Sequence, residues 1–208
     1  MNKVLLINGS PHEHGCTYTA LWEVAEVLKQ EGVETEFLHL GIQPIAGCTG
    51  CQSCCKTGQC VFDDTVNEVL AKRDQYAALI AGTPVHYANP TGPLLTFLDR
   101  LFYVSGKFGM SGKLGAAVVS CRRGGSTAAF DSLNRYFSIS NMHIVGSQYW
   151  NQVHGNTPEE VRQDAEGLQT LRQLGRNMAW LLKCIEAGKQ QGLEIPPHEE
   201  RVSTNFIR

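Results

Sequence analysis

Cys48, Cys51, Cys54 and Cys60 follow a C-x2-C-x2-C-x5-C spacing, with Cys55 beside them, in the stretch GCTGCQSCCKTGQC. Thiolates are soft ligands, and four on one short loop can hold an iron–sulfur cluster at a small loss of loop entropy. Zinc also accepts four thiolates, in a closed structural site. Reduced thiols that hold no metal are the third reading of the same pattern. The other three of the eight cysteines are scattered. Cys16 sits in a glycine-bounded loop and Cys121 beside paired arginines. Cys184 lies in a helical stretch and reads as a small buried apolar residue.

Three further segments carry groups suited to a ligand. Gly9 to Thr17 reads GSPHEHGCT, between an apolar run and a helix start. Free N–H groups and the helix dipole make that an anion site, with the Ser10 and Thr17 hydroxyls at hand. It matches neither GxxxxGK[ST] nor GxGxxG. Without a fixed cation it suits a monophosphate better than a triphosphate with magnesium. Thr83 to Gly92, which includes Pro84, Val85, His86, Tyr87 and Asn89, offers a wall for a planar heterocycle. Cys121-Arg122-Arg123-Gly124-Gly125 adds a tight turn and two guanidinium groups. Each loop alone reads as an ordinary turn; the three together do not. A fourth stretch, Ser147 to Gly155, holds Tyr149, Trp150 and His154. Its aromatics read first as core at a strand end and second as a pocket wall.

The elements that must position these loops alternate strand and helix. Val4 to Asn8 is a continuous apolar run of the kind found in buried parallel strands. Thr17 to Lys29 has Leu21, Val24, Ala25 and Leu28 at helical spacing. Val33 to Leu40 alternates as a second strand. The cysteine loop occupies 41–62, and Asp63 and Asp64 then open a helix through Ala71. Ala77 to Ala81 is a third strand. Pro93 opens a helix carrying Leu94, Leu98, Leu101 and Phe102, with Leu95 and Phe97 off that stripe as a dimer contact. Leu114 to Ser120 is a fourth strand, followed by a helix from Ser126 to about Tyr136. A fifth strand is expected from His143 to Ser147, continuing to Trp150. Thr157-Pro158-Glu159-Glu160 begins a final helix running towards Gly188, with Gly167 and Gly175 as points of kinking.

This pattern predicts an α/β fold, a doubly wound, five-stranded parallel sheet with helices on both faces. One domain is expected over 1–188, with the cysteine-rich insertion at 41–62. The tail, 189–208, is expected to reach a partner subunit. Ligands of such sheets lie beyond the C-terminal ends of the strands, which puts the loops after strands one, three and four at one edge.

Composition narrows the function. The 208 residues include 42% hydrophobic ones and carry a net charge of −2, from 18 Lys+Arg against 20 Asp+Glu. Such a balance lacks the basic face of a nucleic-acid protein and speaks against a shuttle that docks by charge alone. Global disorder does not fit this apolar content. The opening MNKVLLINGS is too short for a signal-peptide core, and no run nears the roughly 18 apolar residues of a membrane span. A cytoplasmic protein with reduced thiols is the expectation.

The segments GSPHEHGCT and TPVHYANPTGPLLTFLDR resemble the NAD(P)H-dependent FMN reductases of the flavodoxin-like superfamily. The cysteine stretch, GCTGCQSCCKTGQCVFDD, is similar to the iron-sulfur flavoprotein branch. The resemblance covers about residues 1 to 150. It implies one FMN per subunit and a homodimer or homotetramer. The FMN phosphate would lie on Ser10, His12, Gly15, Cys16 and Thr17. His12 stands where the family usually has arginine, and Cys16 where it has asparagine, so FMN binding is expected to be weaker. The isoalloxazine would lie against Pro84, Val85, His86, Tyr87 and Asn89, with Cys121, Arg122, Gly124 and Gly125 closing the other side. The cysteines Cys48, Cys51, Cys54 and Cys60 would be the metal ligands, for a [4Fe–4S] cluster if one is held.

The implied activity is an oxidoreductase. NADH or NADPH would reduce FMN, and electrons would pass to a quinone, an azo or nitro compound, a flavin or a redox protein partner. The alternative is a non-enzymatic flavin and iron–sulfur electron carrier. A third reading is a metal-stapled interaction module without flavin.

Overall fold

The computed structural model describes residues 3–200, 202, 204 and 206, and for 106–108 the backbone alone. Strand β1 (Lys3–Asn8) is followed by α1 (Cys16–Gln30) and β2 (Glu34–His39). The cysteine loop contains one short helix, α2 (Cys54–Thr57), and leads to α3 (Thr65–Ala71). Next come β3 (Tyr76–Pro84), α4 (Gly92–Phe108), β4 (Leu114–Cys121) and α5 (Ser126–Ile139). The chain closes with β5 (His143–Ile144), β6 (Gln152–His154), α6 (Pro158–Val161) and α7 (Ala165–Gln190).

All strand pairs are parallel, in the order β2-β1-β3-β4, with β5 and β6 both pairing with β4 at the far edge. This is the doubly wound α/β arrangement expected from the sequence. After β1 the chain turns to one side of the sheet, and after β2 it crosses to the other. The loops after β1 and β3 therefore diverge and leave a crevice at the switch point.

Alternation along β1 divides the core. Val4 and Leu6 face Leu21, Val24 and Leu28 of α1 and Leu171, Leu174 and Met178 of α7. Leu5 and Ile7 face Leu94, Leu98 and Leu101 of α4, Leu133 and Phe137 of α5, and Val66 and Leu70 of α3. Both faces of the sheet are covered, which explains the unbroken apolar run of a strand that has no wet side. Each fully buried leucine contributes on the order of 1.5–3 kcal/mol. Helices α1 and α7 pack closely because Gly175 lies on α1. A Cβ there would come within 2.9 Å of Val27 Cβ.

Four expectations are corrected. The fifth strand is not continuous from His143 to Trp150. Two short pieces pair with opposite ends of β4, and residues 145–151 leave the ladder between them. The final helix is not continuous from Thr157. Thr157 caps the four-residue α6, and Asp164, accepting from Gly167 N–H at 2.9 Å, starts a new helix. Gly167 therefore sits in the first turn of α7, where the Asp164 carboxylate leaves no room for a Cβ. Phe97, expected at a dimer contact, is fully buried in its own chain's core, and Cys184, expected to be buried, is exposed.

Beyond Gln190, Ile195 packs at Gly112 and Ser111 Oγ lies 2.8 Å from His198 Nε2. Among the described residues no helix is long and apolar enough to cross a membrane.

Candidate functional site

The loop after β1 is set by a residue that no sequence motif singles out. Asn8 is buried, and its Oδ1 accepts from Ser10 N–H at 3.0 Å while its Nδ2 donates to Glu13 C=O at 3.0 Å. Ser10 Oγ in turn accepts from His12 N–H at 3.1 Å. His39 Nε2 meets Ser10 C=O at 2.9 Å. The loop thus curls over the start of α1, where Gly15 is the N-cap and supplies no side-chain acceptor. The N–H groups of Cys16, Thr17 and Tyr18 have no acceptor within the described residues. Three aligned donors at a helix start, with the Ser10 and Thr17 hydroxyls, form a cradle for an anion.

The second loop is tied to the first. Thr91 Oγ1 donates to Gly9 C=O at 2.7 Å, and Thr83 Oγ1 accepts from Thr91 N–H at 3.0 Å. Gly9 N–H reaches Gly82 C=O at 2.9 Å, an approach that a Cβ on Gly9 would oppose by striking Leu94. Between them His86 and Asn89 exchange two backbone hydrogen bonds of 2.9 Å. The two-residue turn puts Tyr87 at φ 51° and Ala88 at φ 61°. Left-handed backbone is unfavourable for both residues by about 1–2 kcal/mol each. Tyr87 is fully exposed at its tip.

In the third loop, the buried Cys121 thiol donates to Gly124 C=O at 3.1 Å and accepts from Arg123 N–H at 3.2 Å. It latches the turn. Gly125 has φ 89°, and a Cβ there would come within 2.9 Å of the Ala88 backbone, so this turn leans on the second loop.

A cleft of about 260 Å³ opens where the loops meet. Ser10, His12, Cys16 and Thr17 line it on one side, and Pro84, Val85, His86 and Arg122 on the other. Ser120 lies at its floor, its hydroxyl 2.8 Å from Thr17 Oγ1. Gly155 and Asn156 complete it from the loop after β6, a contribution hidden from sequence because it depends on where β6 pairs. Burial pushes the Cys16 thiol up, its own N–H opposes this, and Glu160 and Glu159 add to the rise. Six expected site residues do not line the cleft. Cys121, Gly124 and Gly125 support it from behind, and Tyr87 and Asn89 lie in the protruding turn. Gly15 sits beneath the cradle, too close to His12 to carry a side chain freely. Tyr149 and Trp150, expected first as core, are about half exposed and line a separate cleft with His154 and Asp164.

Cys48, Cys51, Cys54 and Cys60 line one pocket on the α4 side, together with Phe62, Arg100 and Tyr103. Among the described residues no group of three or more His, Cys, Asp or Glu side chains is gathered for a metal. Cys48 and Cys51 are exposed and Cys54 is buried. Hydrogen bonds from the Ser53 backbone and hydroxyl and from Thr49 hold the Cys51 thiol below its usual range. Burial, and then the neighbouring Cys55 and Cys51, push Cys54 up. The loop is anchored by Asn67, whose side chain accepts from Cys60 N–H and donates to Cys60 C=O, both at 2.9 Å. Its second anchor is Arg100, which donates to Cys60 Sγ at 3.2 Å and pairs with Asp64 at 2.6 and 2.9 Å. Sequence inspection missed Arg100 because it looks like the polar end of an amphipathic helix. The signal that could have found it is its helical spacing, three residues after Phe97 and four before Val104, both of them apolar and buried.

A parallel sheet in this order, with an anion cradle after β1 and a cleft at its C-terminal edge, defines a flavodoxin-like protein. Residues 2–157 match the family model described as NADPH-dependent FMN reductase, and the chain belongs to that family. It is 31% identical over 191 residues to an iron-sulfur flavoprotein of Methanocaldococcus jannaschii, covering 88% of this chain and 99% of that one. Identity to an iron-sulfur flavoprotein of Methanosarcina thermophila is 27%, over 91% of this chain and all of the relative. Among solved structures, a flavodoxin from the domain Archaea superposes with a TM-score of 0.59 at 15% identity, covering 88% of this chain and 99% of that one.

Proposed function

We propose that the protein is an FMN-dependent NAD(P)H oxidoreductase that delivers electrons to a quinone, an azo or nitro compound, a flavin or a redox protein. The observation that carries this reading is the cleft between the three loops. Its unpartnered N–H groups at Cys16, Thr17 and Tyr18 suit a terminal phosphate. The donor set is neutral apart from Arg122, which suits a monophosphate better than a magnesium-bound triphosphate. When bound, FMN supplies the hydride and electron chemistry, which the protein itself lacks.

The chain's own residues bind and orient. Ser10 and Thr17 hydroxyls and the α1 N–H groups would hold the phosphate, and Asn8 keeps the loop in the curled form that exposes them. Pro84, Val85 and His86 present apolar surface and ring edges to a planar group. The strained turn holds Tyr87 outward, where it can cover one face of such a group. Arg122 places a cation at the mouth, suited to the phosphates of an incoming nicotinamide nucleotide. A dimer or tetramer in the cytoplasm is part of this proposal.

Cys48, Cys51, Cys54 and Cys60 would hold a [4Fe–4S] cluster. Their donor chemistry fits, since four thiols line one pocket with a buried guanidinium donor at its base. That pocket also favours the second reading, an electron carrier with flavin and cluster but no nicotinamide turnover.

Anaerobic purification followed by visible spectroscopy, iron and sulfide analysis and NAD(P)H addition separates these. Bound flavin bleached rapidly by NADH or NADPH is the expected result. A flavin that binds but does not bleach leaves the carrier. Protein that neither contains nor binds FMN overturns both.

A further inference from the structure

Arg100 is 1% exposed and is the largest fully buried side chain among the described residues. It makes five donor contacts. Nη1 and Nη2 grip the two oxygens of Asp64 at 2.6 and 2.9 Å. The same nitrogens reach Ala46 C=O and Phe62 C=O, each at 3.2 Å. The fifth donor, Nε–H, points at Cys60 Sγ at 3.2 Å. The guanidinium also lies 5.0 Å over the Phe62 ring.

Four of these contacts serve to staple the cysteine loop and the start of α3 to α4. The fifth does not need to. A neutral thiol is a weak acceptor, and a buried guanidinium N–H directed at one is poorly satisfied. A thiolate, free or bound to metal, is a strong acceptor and makes the contact charge-assisted. The arrangement is therefore built for an electron-rich sulfur at Cys60. Asp64 is on the other side of the same cation, at the N-cap of α3, where its Oδ1 also accepts from Val66 N–H at 3.1 Å.

Resting on the cluster reading above, we propose that Arg100 and Asp64 act as a positioning pair that sets the reduction potential of the iron–sulfur group held by Cys60. The couple is one electron gained at the metal–sulfur group, supplied in the test by dithionite, with no bond formed or broken. A hydrogen bond to the sulfur stabilises the more negative, reduced form and raises the potential. Asp64 opposes this by neutralising the guanidinium. The two residues therefore pull in opposite directions, which a purely structural staple would not do.

The test is a mediator-poised anaerobic titration of the flavin- and cluster-loaded protein, followed by electron paramagnetic resonance. Arg100→Gln is expected to lower the ratio of reduced to oxidised cluster at fixed potential by about tenfold, a shift of about 59 mV for one electron. Asp64→Asn keeps the α3 cap and is expected to shift the ratio in the opposite direction. If Arg100→Gln does not fold, the sign of the Asp64→Asn shift decides alone. Ratios of reduced to oxidised cluster within about twofold of wild type, or two shifts of the same sign, overturn the proposal while leaving the cluster reading intact. Wild-type protein that takes up no iron or sulfide overturns the cluster reading and the proposal with it.

Discussion

Removal of the Asn8 side chain tests whether the first loop is a phosphate cradle. Asn8→Ala deletes the acceptor of Ser10 N–H and the donor to Glu13 C=O, both at 3.0 Å. The two losses are unequal. Glu13 is exposed, so its carbonyl turns to water at little loss. Ser10 is 4% exposed, and its N–H is left without a partner in a site that water reaches poorly. An orphaned buried donor costs about 1–3 kcal/mol. Charged against the curled loop that binds the phosphate, this weakens FMN binding by about 5- to 150-fold, with about 30-fold at the middle of the range. Riboflavin has the same ring and no phosphate, so its affinity falls much less. The assay is quenching of flavin fluorescence on titration of apoprotein with each flavin, with circular dichroism to show the fold is kept. An FMN affinity within twofold of wild type, or equal losses for FMN and riboflavin, would refute the assignment of this loop to the phosphate.

Four other outcomes follow from the same structure. Glu36 is held below the usual carboxylate range by its hydrogen bond from Lys3, against an opposing effect of burial and with help from Lys72 and Tyr76. A depressed carboxylate stabilises the fold above its unfolded value, near pH 4.3, and loses that contribution as pH falls through the lower folded value. Denaturant melts of Glu36→Gln should therefore lose less stability than wild type on going from pH 5 to pH 3. At the alkaline end, burial and the hydrogen bond to Glu36 push Tyr76 up to about 12, so its contribution is complete below about pH 10 and disappears as pH rises towards that value. Tyr76→Phe should flatten the alkaline limb of the same stability profile. Asp164→Ala removes the α7 cap and the acceptor of His154 N–H at 2.7 Å, and should lower stability by about 1–2 kcal/mol in urea melts. Gly125→Ala forces a side chain into left-handed backbone against Ala88, and should lower both the melting temperature and FMN affinity through a loss of about 1–3 kcal/mol.

The strands and the longer helices were legible in the sequence wherever local pattern and global environment agree. The run Val4 to Ile7 reads as a buried parallel strand because helices cover the sheet on both faces. The spacing of Leu21, Val24 and Leu28 reads as a helix because only one stripe meets the core. Reading failed where a long-range partner overrides local pattern. Residues 143–150 have strand-like composition, but β4 offers pairing only at its two ends, so the middle of the segment leaves the ladder and Tyr149 and Trp150 meet solvent. Phe97 lies off the stripe of its helix and is nevertheless buried, because α4 is covered on more than one side. The stop at Asp164 was missed because a cap is recognised by the N–H groups it satisfies, including His154 N–H on a neighbouring strand.

The amino-acid sequence sets which groups are available: a glycine-bounded loop with two hydroxyls, a histidine–tyrosine loop, and a four-cysteine spacing. It also determined that all three chemical loops follow strands and so share one edge of the sheet or its flank. What they can do together depends on how the elements pack. Strand order put the loops after β1 and β3 on opposite sides of one crevice, and the pairing of β6 brought Gly155 and Asn156 to close it. Helix α4 carried Arg100 to Cys60 and Asp64, residues 40 and 36 positions away in the chain. Such juxtapositions depend on register and packing between elements, and neither leaves a periodic trace in a single sequence.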